Sequence, residues 1–277
     1  MVKIIDIDKL FDDYISDYVY KNIGKVKPEQ IENEMPKLYE QFGNEKLKQL
    51  DGKTPNTYYL DFSAKQLIQC LKEHLIKGIA ISDFLCEAII SNKDCAQEIR
   101  EELQKENEEQ FVVYLINILN DMDIEPPFGR YLEFVLFDYP ESIAELSTEI
   151  LCSYADKVKE KIIEQYSDAN EKTQERLAEI LSNAKKDDRV FDILIQAFAC
   201  RQDNIPLHAA FLSKYGDERA LPFLLTAIES DKISYADFEE LRFAIESLGG
   251  EYNKTRDFSK DKTYKIINKI NKEKNKR

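Results

Sequence analysis

Apolar residues recur along this chain at helical spacing, and in three places they recur in the same way. The segment EEQFVVYLINIL places Phe111, Val112, Tyr114, Leu115, Ile118 and Leu119 at positions i, i+1, i+3, i+4, i+7 and i+8. DDRVFDILIQAF repeats this with Val190, Phe191, Ile193, Leu194, Ala197 and Phe198. DERALPFLLTAI repeats it with Ala220, Leu221, Phe223, Leu224, Ala227 and Ile228. Such spacing draws a broad stripe along one side of a helix of 3.6 residues per turn. Each stripe follows an acidic start, which suits the positive end of a helix. A weaker copy, ADKVKEKIIEQY, keeps Val158, Ile162 and Tyr166 but has Lys159, Lys161 and Gln165 where the others are apolar.

Further helices are predicted between these. Residues 171–184 present Leu177, Ile180 and Leu181; residues 205–216 present Leu207, Ala210, Phe211 and Tyr215 behind Pro206. Residues 238–250 present Leu241, Ala244, Ile245 and Leu248 and stop on Gly249-Gly250. Two helices in about 30 residues form a hairpin that cannot bury its apolar face alone, so successive hairpins must stack. N-terminal to these lie predicted helices at 6–22, 28–41, 63–77, 83–91 and 93–105, as degenerate repeats or a capping bundle. Between the stripes that begin at 108 and 156, two helices (128–137 and 141–153) stand where the period expects one. The solenoid therefore gains a helix or changes phase near residue 139.

Composition agrees with helices throughout. Eight Gly and eight Pro among 277 residues are about half the usual share, too few for the turns of a sandwich, a barrel or a parallel α/β fold. The expected fold is all-α, a right-handed superhelix of stacked hairpins, organised as 1–139, 140–255 and a basic tail, 256–277.

The stretch YGDERALPFLLTAIESDKISYADFEELRFAIESLGG (215–250) resembles a HEAT-type repeat of the short bacterial kind, also found in phycobilisome lyases. Gly216-Asp217, Pro222, Asp231, Arg242, Ala244 and Leu248-Gly249 fill the places of its turn, its first helix with proline, its second turn and its closing helix. The unit before matches with Asp187 and Arg189, but Asp192 stands where Pro222 would. The resemblance covers about 170–250. It implies that Asp187, Arg189, Asp217, Arg219, Asp231 and Arg242 form a ladder of hydrogen bonds between successive units, a structural role. It also implies two enzyme alternatives, a chromophore lyase or an alkylated-base glycosylase. The absence of Trp and an acidic body argue against a DNA groove.

Charge narrows the partners. The chain carries 39 basic and 53 acidic residues, a net of −14, which repels phosphate backbones and makes nucleic acid an unexpected ligand. Residues 259–277 oppose the trend with seven Lys and Arg277 against Asp261 and Glu273. This tail reads as a solvated terminal helix or as a membrane-surface or nucleic-acid arm. Five cysteines (70, 86, 95, 152 and 200) without a CxxC read as reduced core thiols of a cytoplasmic protein. The acidic start MVKIIDIDKLFDDYI is unlike a signal peptide, and no run approaches the length of a membrane span.

Candidate chemistry is sparse. His74 follows Cys70 by four residues, two potential ligands where a structural zinc needs four. His208 is the only other histidine and takes the place of Arg242 one unit earlier. Asp121-x-Asp123-x-Glu125 begins like a calcium loop but has Pro126 and Leu132 where Gly and Glu are required. Phosphate-loop, dinucleotide, nucleophile-elbow and HExxH motifs do not occur, so no cofactor, metal or catalytic residue is assigned. Insertions in solenoids map to one face, often the binding face. The loop 121–131, with Pro126-Pro127 and Gly129, is therefore the candidate interaction loop, with Asp121, Asp123, Glu125, Phe128 and Arg130 as its contact residues. The functional expectation is a non-enzymatic scaffold whose acidic groove holds a basic protein or peptide. One version is an inhibitor or immunity-type protein covering a basic toxin or nuclease.

Overall fold

The computed structural model describes residues 3–22, 28–201 and 204–274. Among them are sixteen α-helices and no strand. The chain divides into two compact units, Met1–Arg130 and Tyr131–Arg277. The division falls at 130/131 rather than at the expected 139/140, and the basic segment belongs to the second unit.

The first unit contains α1 (Ile7–Lys21), α2 (Pro28–Gly43), α3 (Pro55–Tyr58), α4 (Ala64–Lys77), α5 (Asp83–Ser91), α6 (Cys95–Lys105) and α7 (Glu109–Asp121). Here α4 pairs with α5 and α6 with α7, while α4 packs on α6 and α5 on α7. These four helices are two stacked hairpins, so part of the N-terminal region does repeat. At α4, Ser63 Oγ accepts from the Gln66 amide at 3.3 Å and Gln66 Oε1 accepts from the Ser63 amide at 2.9 Å, a reciprocal N-cap. Gly78 ends the helix at φ 62°. An aromatic cluster joins α1 and α2 to α5: Phe11 meets Tyr39 edge-on at 5.0 Å, and Tyr39 stacks on Phe84 at 5.1 Å.

Helix α8 (Phe128–Leu136) contains the division between the units. The second unit continues with α9 (Glu141–Cys152), α10 (Ala155–Gln165), α11 (Glu171–Leu181), α12 (Asp188–Cys200), α13 (Ile205–Tyr215), α14 (Leu221–Ile228), α15 (Tyr235–Ser247) and α16 (Lys262–Lys274). The pairs are α10 with α11, α12 with α13 and α14 with α15. The second helices form a row in which α9 packs on α11, α11 on α13 and α13 on α15. This neighbour-to-neighbour packing is that of an α–α solenoid. Of the two helices that upset the period, α9 starts this row.

Burial follows the repeated stripe closely on α7 and α12 and less closely in the third copy, where Leu221 and Ala227 are half-buried. Phe111, Val112, Leu115, Ile118 and Leu119 are buried on α7, and Val190, Phe191, Leu194, Ala197 and Phe198 on α12. The i+3 member lies outside the core in all three copies: Ile193 is half-buried, Tyr114 is 37% exposed and Phe223 44% exposed. On a helical wheel i+3 and i+1 are the two edges of the stripe, and it is the i+3 edge that turns outward. Residues 256–264, expected as the start of a solvated terminal helix or arm, pack on the last hairpin. Phe258 packs on Phe238 at 5.1 Å and Tyr264 on Tyr235 at 5.0 Å. Asp261 accepts from the amides of Tyr264 at 3.0 Å and Tyr235 at 3.3 Å, capping α16 and tying it to α15.

Candidate interaction site

The ladder residues divide into two groups. Asp187 caps α12 by accepting from the Arg189 amide at 3.0 Å, and the Arg189 guanidinium returns to the same carboxylate at 2.8 and 3.1 Å. The other edge of that guanidinium reaches back 29 residues to Glu160 on α10, donating at 2.9 and 2.8 Å. One repeat later the unit recurs. Asp217 accepts from the Arg219 amide at 3.0 Å, and Arg219 reaches back 31 residues to Asp188 at 2.8 Å. Arg219 also lies over the Phe191 ring, 4.2 Å from its centroid. Tyr215 closes the corner, its hydroxyl accepting from the Asp187 amide at 2.6 Å and donating to the Asp187 carbonyl at 3.0 Å. The side-chain hydrogen bonds from Arg189 and Arg219 hold the carboxyls of Asp187 and Asp217 well below the usual range.

Asp231 and Arg242 do not extend this ladder. Arg242 pairs with Glu239 at 2.7 Å and Glu246 at 3.9 Å on its own helix. The ladder position is two residues after a capping Asp, whereas Arg242 sits mid-helix. Glu160 and Asp188, the acceptors one repeat upstream, are the ladder members that sequence reasoning missed. An acid 29–31 residues before each such Arg is the signal that would have found them.

The 121–131 loop is more tied down than expected. Asp121, Asp123 and Glu125 are exposed, and Asp123 takes φ 53°, the left-handed region that aspartate tolerates better than most residues. Arg100 donates to the Glu125 carbonyl at 2.7 Å. Phe128 is half-buried, and Arg130 is only 8% exposed. Arg130 Nε donates to the Leu103 carbonyl at 2.7 Å, and Nη2 to the Glu106 carbonyl at 3.2 Å and Asn107 Oδ1 at 3.0 Å. It satisfies carbonyls at the C-terminal end of α6 and is not a contact residue.

That inward turn takes the one cation of the surrounding sequence off the surface. Arg130 is the only basic residue in positions 106–156, which hold twelve acidic ones. Within this stretch Glu141, Glu145 and Glu149 stand one turn apart along the exposed side of α9. Glu141 is held by Lys172 and by Arg176 of the neighbouring α11, at 2.5 Å for the arginine, and the two hold its carboxyl down at about 2. Glu145 and Glu149 have no ion pair among the described residues.

The histidines take structural places. His74 is 1% exposed, with Nδ1 2.8 Å from the Cys70 carbonyl and Nε2 3.2 Å from the Ile5 carbonyl. His208 is 2% exposed and meets Phe211 edge-on at 5.7 Å. Burial pushes the Cys70 thiol up to about 12 and those of Cys86, Cys95 and Cys152 up to about 11, which makes them poor nucleophiles. Cys200 departs from the expected core set: it is exposed, on the rim of a polar cavity of about 420 Å³ lined by Tyr166, Glu171, Gln174, Gln196 and Arg201. Among the described residues no three His, Cys, Asp or Glu side chains converge as metal ligands, and no helix is long and apolar enough to cross a membrane.

Comparisons with family models, with curated proteins and with solved structures find no match.

Proposed function

We propose that the protein is a non-enzymatic interaction scaffold of the HEAT-like kind that holds a basic protein or peptide. The observation that carries this reading is the inward turn of Arg130, which leaves the acidic residues of 106–156 without an exposed cation from their own stretch. Glu145 and Glu149, unpaired on the second-helix row, are the proposed centre of the contact. A rigid row of helices costs little ordering entropy when a ligand lies along it, and a body of one sign speeds encounter with the other. An inhibitor or immunity-type protein that covers a basic toxin is one case of this reading.

The test is fluorescence anisotropy with a labelled Lys/Arg-rich peptide, a Glu-rich peptide and duplex DNA. The expected result is salt-sensitive binding of the basic peptide alone, weakened about tenfold by Glu145→Lys with Glu149→Lys, an order set by desolvated charge pairs. Basic-peptide binding that ignores both reversals, or submicromolar DNA binding, would overturn the reading.

A further inference from the structure

The last two helices of the second unit carry complementary surfaces that neither buries against the other. On α15 the core side is Phe238, Leu241, Ala244 and Ile245, and Phe243 stands on the opposite side, 63% exposed. Its helical neighbours are Glu239, Glu240 and Glu246, with Arg242 the single cation among them. On α16, Tyr264 faces α15, while Ile266, Ile267 and Ile270 are 61%, 38% and 47% exposed. Their neighbours are Lys262, Lys265 and Lys269, and no acid occurs between Lys262 and Ile270. One helix is thus an aromatic knob with an acidic rim, and the next is an isoleucine strip with a lysine rim. They touch through Asp261, Tyr235 and Tyr264, yet Phe243 and Ile266 remain mostly exposed. The chain's own α16 leaves both patches open.

We propose that these patches form a two-fold self-association surface between two copies of this chain. On it α16 of one copy lies against the outer face of α15 of a second, and the reciprocal contact forms at the same time. Two-fold pairing needs a surface whose residues i and j each meet the other's partner, and adjacent helices of opposite rim charge meet that condition within one chain. Both apolar patches are then covered by a single docking event, with lysines against glutamates at each rim. The geometry favours a second copy over an anionic membrane. A bilayer would meet the isoleucine strip but leave Phe243 uncovered, and would bring acidic lipid toward the glutamates beside it and a chain of net charge −14.

The experiment is sedimentation velocity on the full chain from about 1 to 100 µM at low and high salt, since association driven by mass action must rise with concentration. The expected result is growth from 32.4 kDa toward twice that mass, weakened by salt. K265E/K269E and E240K/E246K each leave the protein monomeric when alone, with helical circular dichroism unchanged because all four positions are exposed. An equimolar mixture of the two variants restores the dimer, because the reversed α16 of one meets the reversed α15 of the other, while the second contact pairs a native α16 with a native α15. A chain monomeric at every concentration, a dimer indifferent to both variants, or a mixture that stays monomeric overturns the proposal. So does flotation with phosphatidylserine vesicles that is lost in K265E/K269E while the wild type stays monomeric.

Discussion

Arg130 shows how much one buried cation can hold. Its guanidinium serves two carbonyls and one side-chain amide at the C-terminal end of α6, so removing it orphans the buried Leu103 carbonyl and frees two part-buried acceptors at once. Arg130→Met, which keeps the stem and loses the donors, should cost about 2–3 kcal/mol in urea denaturation. Asp121→Asn with Asp123→Asn, on the exposed part of the same loop, should change stability by less than about 0.5 kcal/mol. At the ladder the sign of pH dependence follows from its carboxylates. Hydrogen bonds from Arg189 lower the Asp187 and Glu160 carboxyls, and Lys172 with Arg176 lowers Glu141 to about 2. A carboxyl held lower in the folded than in the unfolded chain adds stability above its unfolded value, and that gain is lost as pH falls through the folded one. The urea midpoint should therefore drop between pH 4.5 and pH 2. Arg189→Met should flatten the part of that drop due to Asp187 and Glu160.

At the scale of elements, the two closing glycines of the last hairpin act for different reasons. Gly249 takes φ 81°, a backbone that an L side chain strains to adopt, so Gly249→Ala should cost about 1 kcal/mol. A Cβ on Gly250 would stand 2.7 Å from Leu221 Cδ2 and 2.9 Å from Ile245 Cγ2. Gly250→Ala must displace the Leu221 and Ile245 side chains and should cost about 1–3 kcal/mol, read as a lowered thermal midpoint. Helix positions were legible because their signals are local: Ser63 and Ser234 open α4 and α15 with reciprocal caps. Pro222, which cannot donate an amide, falls in the first turn of α14, behind a 3-10 turn at Glu218–Ala220. What was not legible depends on direction in space. Arg130 has the composition of a contact residue, and nothing in its neighbours encodes that its side chain runs inward to a helix 24 to 27 residues upstream. Arg242 matches the repeat in type but not in distance from a capping Asp, and it pairs within α15 instead. The packing of the segment after 256 was not legible either, because the partners of Phe258 and Tyr264 are Phe238 and Tyr235, on the hairpin before them.

At the scale of the whole molecule, each second-unit helix touches mainly its neighbours in the row, so stability should vary along that row. Leu177, Ala178, Ile180 and Leu181 of α11 are fully buried between α9 and α13. Hydrogen exchange followed by mass spectrometry should find α11 the most protected helix and α14–α16 the first to exchange. The reverse order would contradict neighbour-limited packing. The inward turn of Arg130 also gives the chain an unusual relation to trypsin, which cuts after exposed lysine and arginine. Between Lys105 and Lys157 the native protein offers no other such bond, and this one is buried. The folded chain should release 106–157 as a single piece that spans the division at 130/131. Cleavage after Arg130 then counts only molecules that have opened there, a built-in reporter of local unfolding that needs no label.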